Sequence, residues 1–149
     1  MTTVFASFPG TPDSVAAVRR FVVGAIRACP QVGASRDAVE RVELIVSELA
    51  TNAIRHTHSG DSGKSFTVRM NVNERGVWTE VHTLAPRRWN SVPRVVEPDD
   101  PPREHGRGLF LVDLLASRWG RLAPGQEGVY SVLYWDDCPR TWGDRAVGR

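Results

Sequence analysis

The sequence predicts an α+β fold, a two-layer sandwich in which a mixed or antiparallel sheet of about five strands is covered on one face by three helices. Three observations lead there. Runs with apolar residues at two-residue steps are joined by short turns, the pattern of antiparallel hairpins. Runs with apolar residues at three- and four-residue steps stand together after the first strand, and once more after a long aperiodic stretch. The resulting order, β-α-α-β-β-loop-α-β-β, groups helices and hairpins instead of alternating them.

Composition sets the outer bounds. A chain of 149 residues is of single-domain size and large enough for one core. We expect that domain over residues 1–136 and a poorly ordered tail over 137–149, where Pro139, Gly143 and Gly148 stand among three arginines. Net charge is +2 with a pI near 8.8, and the arginines are scattered, so no nucleic-acid partner is indicated. Cys29 and Cys138 form no CxxC, and the histidines show no zinc-ligand spacing. No apolar run reaches the roughly 18 residues of a membrane span, and the start lacks signal-peptide character, so the expected location is cytoplasmic, away from membranes.

In chain order, Thr2 to Phe8 alternates as a short strand closed by Pro9-Gly10. A helix then opens with Thr11 as its expected cap and Pro12 at its first position, and Val15, Val18, Val22 and Ile26 keep its apolar spacing. A second helix starts at Ser35, a good N-cap, with Asp37 in the dipole-favoured first turn, and runs to about Thr57. Val42, Ile45, Val46, Leu49 and Ala53 form its core stripe. Ser65 to Val72 and Val77 to Thr83 alternate on either side of the turn Asn73-Glu74-Arg75-Gly76. Leu84 to His105 has no period and holds five prolines, and a loop of this length in a compact domain is usually functional. A third helix begins at Gly106 and buries Leu109, Val112, Leu115 and Ala116, ending before Trp119-Gly120. Arg121 to Ala123 and Val129 to Trp135 read as closing strands around the turn Pro124 to Gly128.

Glu48, Asn52 and His56 are spaced four apart, so they form one row along the edge of the core stripe of the second helix. A carboxylate can order a water or take a proton, and an amide oxygen is a hard ligand suited to Mg²⁺. The same spacing also fits a solvated helix edge. A second stretch, Gly106-Arg107-Gly108-Leu109-Phe110-Leu111-Val112, places glycines where a helix N-terminus can face phosphate oxygens.

Taken together, Glu48-Leu49-Ala50-Thr51-Asn52-Ala53-Ile54-Arg55-His56-Thr57, a two-strand spacer and the Gly106 stretch closely resemble the GHKL (histidine-kinase-like) ATPase superfamily. Within it the chain looks like the small stand-alone members related to anti-sigma factor serine/threonine kinases, over about Val4 to Trp135. The resemblance implies ATP and Mg²⁺ as cofactors, with the nucleotide held between the helix layer and the long loop, which matches the family's lid. Glu48 matches the hydroxyl-activating carboxylate and Asn52 the Mg²⁺ ligand that bridges to the phosphates. Gly106 and Gly108 match the phosphate-facing glycines at the lid end, with Leu109 beside them, and Arg107 or Arg103 adds charge. Arg55 lies one turn past Asn52 near the same site. Ser131 or Tyr130 stands where the family often has a threonine near the adenine, with the register there open by one residue.

One position departs from the family. Where it usually has an Asp that accepts the adenine amino group's hydrogen bond, then a Gly two residues on, this chain has Thr83 and Ala85. A Thr hydroxyl still accepts a bond, but the charge is gone. Charge-assisted bonds are worth roughly 1.5–3 kcal/mol, so ATP affinity is expected to fall by about ten- to a hundredfold.

Two function classes follow. One is an anti-sigma-type kinase that binds ATP·Mg²⁺, phosphorylates a serine of an antagonist (anti-anti-sigma) protein and sequesters a sigma factor. The other is a non-catalytic protein-binding regulator on the same fold, with Trp78 and Trp89 as candidate partner-facing aromatics. The catalytic domain of a two-component histidine kinase fits less well, since no helical hairpin with a phosphoacceptor histidine precedes the domain. A homodimer is expected from the resemblance alone.

Overall fold

The computed structural model describes residues 1–87 and 107–136. Five strands form one sheet: β1 (Thr2–Pro9), β2 (Ser65–Val72), β3 (Gly76–His82), β4 (Arg118–Arg121) and β5 (Gly128–Tyr134). Three helices accompany them: α1 (Ser14–Arg27), α2 (Arg36–His56) and α3 (Arg107–Leu115). The strand order is β1-β2-β3-β5-β4, and every neighbouring pair is antiparallel. The fold is the expected α+β sandwich, and its sheet is antiparallel throughout.

The two-residue period decides which side chains meet the helices. Val4, Met70, Thr79, Ser131 and Trp119 stand opposite one another across the five strands. Val68, Val81 and Val129 form a second row on the same face. They join the α1 residues Val18, Val22 and Ile26 and the α2 residues Val42, Ile45, Val46, Leu49 and Ala53 in a single core. Fully burying one such side chain contributes about 1.5–3 kcal/mol. The opposite face carries Phe5, Arg69, Glu80 and Tyr130 in one row and Asn71, Trp78, Val132 and Arg118 in the next. There Trp78 stacks on Tyr130 with ring centroids 4.7 Å apart. The indole of Trp78 donates to Glu80 at 3.0 Å, and His82 lies 2.8 Å from the same carboxylate. Burial alone would raise the Glu80 carboxyl, but the bonds from His82 and Trp78 outweigh it and hold the group below its ordinary value.

Local chemistry sets the ends of α2. The Ser35 side chain accepts from the Ala38 N–H at 3.1 Å, as its cap position predicts. In the hairpin turn, Asn73 Oδ1 accepts from the N–H groups of Arg75 and Gly76 at 2.8 and 3.1 Å.

Two expectations need correction. Thr11 is not the cap of α1: the helix begins at Ser14 after Asp13, with no side-chain cap. Ser14 instead donates to the Pro9 carbonyl at 2.6 Å, which fixes the helix start against the end of β1. The fourth strand lies at Arg118–Arg121, earlier than Arg121 to Ala123. Trp119 draws it there, since the residue faces the core opposite Ser131 and its indole donates to Asp113 of α3 at 3.0 Å. The expected tail, Trp89 and Cys138 lie outside the described residues. Cys29 is buried.

Arg41 is an anomaly within α2. It is 5% exposed, and its Nε lies 3.2 Å from Asp37 Oδ2, within ion-pair distance. The angle is poor, however, and among the described residues Nε and Nη1 have no hydrogen-bond partner. A buried cation with unsatisfied donors costs stability, and an apolar side chain of similar length removes that cost. Arg41→Met should therefore raise the unfolding free energy by about 1–2 kcal/mol, read as a higher urea midpoint at unchanged slope. A lowered midpoint would contradict this account of Arg41.

Candidate functional site

The site forms where the C-terminal half of α2 passes over the ends of β3 and β5. The α2 stripe places Leu49 in the core, and Asn52 follows three residues on at its half-buried edge. Just beyond, the chain makes a tight junction. Thr57 donates to the Ala53 carbonyl at 2.6 Å and accepts from the Ser59 N–H at 3.1 Å, which caps α2 and turns the chain. Ser59 is fully buried, and its hydroxyl accepts from the Leu84 N–H at 2.9 Å. The His58 N–H donates to the Ala85 carbonyl at 2.9 Å and the Arg87 N–H to the His56 carbonyl at 3.0 Å. The segment after β3 is thereby strapped to the end of α2.

Gly10 closes the same junction from the side of β1. A β-carbon there would collide with the Ser59 carbonyl oxygen, so the close approach requires glycine. An ion-pair cluster lies outside it, with Asp61 2.8 Å from His58 and 2.7 Å from Arg87. The bond with His58, helped by the nearby Arg87, lowers the Asp61 carboxyl below its ordinary value.

The strap leaves a narrow cleft of about 30 Å³. Leu49, Val81 and Val129 give it an apolar floor, and Asn52, Thr57 and Thr83 bring polar groups from α2, its cap and the end of β3. Arg121 of β4 and the turn residues Gln126 and Glu127 form the remaining rim. The turn is closed by the Leu122 N–H to the Gly128 carbonyl at 3.1 Å and the Gln126 N–H to the Ala123 carbonyl at 3.0 Å.

The structure brings two of the residues singled out from the sequence, Asn52 and Thr83, into this cleft. Glu48 lies one turn before Asn52 on the same helix edge, half-buried. Its burial pushes the carboxyl above its ordinary value, against the opposing pull of the Arg55 guanidinium. Arg55 is exposed on the following turn. Leu109 is a buried core residue of α3. Ser131 faces the helices while Tyr130 faces outward, and the β5 residues that line the cleft are Gly128 and Val129, not Ser131. Arg107 and Gly108 open α3, and Arg103 and Gly106 lie outside the described residues.

Sequence reasoning missed Arg121, Gln126 and Glu127. The turn holding the last two was visible, but its neighbour across the sheet was not. Among the described residues no cluster of three or more acidic, His or Cys side chains could hold a metal by itself. A Mg²⁺ that takes most of its ligands from phosphates and water asks only for an oxygen donor or two, and Asn52 offers one. Among the described residues no helix is long and apolar enough to cross a membrane.

The family model of the histidine kinase-like ATPase domain matches residues 8–128, a span that contains α2 and every residue of the cleft except Val129. No curated protein matches the chain.

The raised Glu48 carboxyl has a consequence for stability. The folded state holds this proton more tightly than the unfolded chain, so folding takes up a proton between the ordinary value and the raised one. Stability is therefore lost as pH rises through that window above 4.5. Glu48→Gln removes the ionisation, and we expect a higher melting temperature than wild type at neutral pH, with the difference vanishing in acid. Equal melting temperatures at neutral pH would contradict this.

Proposed function

The chain belongs to the histidine kinase-like ATPase domain family, and from that premise we propose an ATP-binding regulatory protein that phosphorylates a serine of an antagonist protein, in the manner of anti-sigma factor kinases. The observation that carries this reading is the meeting of Asn52 and Thr83 in one cleft, with Glu48 one turn away on the same helix edge. Family membership implies ATP binding, and the apolar floor under polar walls suits a flat base with a polar tail.

In this reading Asn52 lends its amide oxygen to Mg²⁺ at the phosphates, and the metal when bound neutralises phosphate charge. Glu48 acts as the base. As the substrate serine oxygen bonds to the γ-phosphorus and the bond to the ADP oxygen breaks, the serine proton passes to the Glu48 carboxylate. Its raised basicity supports that role. The sigma factor and the antagonist are the proposed partners, and a homodimer is the proposed assembly.

A second reading, a protein-binding regulator with a degenerate nucleotide site, is favoured by Thr83 and Ala85 in place of the usual Asp and Gly. The stacked Trp78–Tyr130 pair, with Arg118 placed 5.8 Å from the Trp78 ring centre, offers such a regulator a contact surface on the outer sheet face.

Calorimetric titration with ATP, with and without Mg²⁺, separates the two. Micromolar binding that requires Mg²⁺ and is lost in Asn52→Ala supports the kinase reading, and absence of heat at millimolar ATP overturns it. Glu48→Ala should retain ATP binding and lose phosphoryl transfer to the antagonist. Unchanged transfer would remove Glu48 from the role of base.

A further inference from the structure

We infer that Glu127, in the turn before β5, supplies the carboxylate that accepts the 6-amino group of adenine, in place of the charge that Thr83 lacks. The inference rests on the reading that the cleft takes ATP, and it adds the residue that selects the base.

Register is the first support. His82, the last residue of β3, pairs with Gly128, the first of β5. The ladder runs one step further, with the Thr83 N–H donating to the Glu127 carbonyl oxygen at 3.1 Å. Thr83 and Glu127 are therefore direct neighbours across two strand ends, and both line the cleft. The adjoining strand end thus brings a carboxylate next to the uncharged Thr83.

Position is the second. Gly128 sits at φ +140°, and a β-carbon there would collide with the Val81 carbonyl oxygen. This close approach pins the backbone of the preceding residue at the rim of the cleft. Glu127 is exposed there, and among the described residues no hydrogen bond or ion pair engages its carboxylate. It is also the one carboxylate among the described residues that line the cleft.

Chemistry is the third. A base lying on the floor of Leu49, Val81 and Val129 reaches the rim with one edge. A carboxylate there accepts an amino N–H with a charge-assisted bond, about twice as strong as a bond to a neutral hydroxyl. The side chain of Gln126 offers an acceptor without charge, and Arg121 offers only donors.

The test compares ATP with purine riboside 5′-triphosphate, which lacks the 6-amino group, by calorimetric titration of wild type, Glu127→Ala and Glu127→Gln with Mg²⁺ present. Wild type should prefer ATP by about tenfold or more. Glu127→Ala should lose that preference while binding purine riboside triphosphate as wild type does, and Glu127→Gln should fall between. Glu127 is an exposed turn residue, so the thermal melts of both variants should match wild type. A full ATP preference in Glu127→Ala overturns the inference and leaves the ATP reading standing, as does equal wild-type affinity for the two triphosphates. No wild-type affinity for either overturns both.

Discussion

The architecture of the site depends on one buried hydroxyl. Ser59 lies where the end of α2, the end of β1 and the segment after β3 converge, and it meets all three. Its N–H is taken by Thr57, its hydroxyl by Leu84, and its carbonyl stands where Gly10 allows no side chain. A buried donor or acceptor left unpaired costs about 1–3 kcal/mol, so the junction holds only as a set. Without it the sheet and α2 would still pack through their apolar faces. The strand end that carries Thr83 would then be held by its pairing with β5 and no longer by the junction at the end of α2.

What could be read from the sequence follows the range of the forces involved. Ser35 as a cap, the α2 stripe and the Asn73 turn are decided by residues within a few positions of one another, and each stands where the pattern placed it. The alternation of β2 and β3 was equally plain, because one face of each strand is buried. Thr11 misled because the start of α1 is set by Ser14 bonding to the Pro9 carbonyl, a tertiary contact. The fourth strand was displaced for the same reason: Trp119 is held by Ser131 across the sheet and by Asp113 of α3, neither of which a local pattern reveals.

The candidate site divides along the same line. Asn52 was visible from its spacing with Glu48, and Thr83 from its place in the family motif. Glu127 was not, since only the pairing of β3 with β5 shows that it adjoins Thr83. A turn reads as a turn in any register, and the register is a property of the assembled sheet.

The division of the cleft into floor and rim bears on how its specificity can change over evolutionary time. Leu49, Val81 and Val129 belong to the core as well as to the cleft, so a change there alters folding and recognition together. Gln126 and Glu127 are exposed turn residues, and a change there leaves the core untouched. Lineages can thus drift at the rim, while selection for a folded protein holds the floor constant. Substitutions in the turn are therefore open to change without any period in which the protein fails to fold.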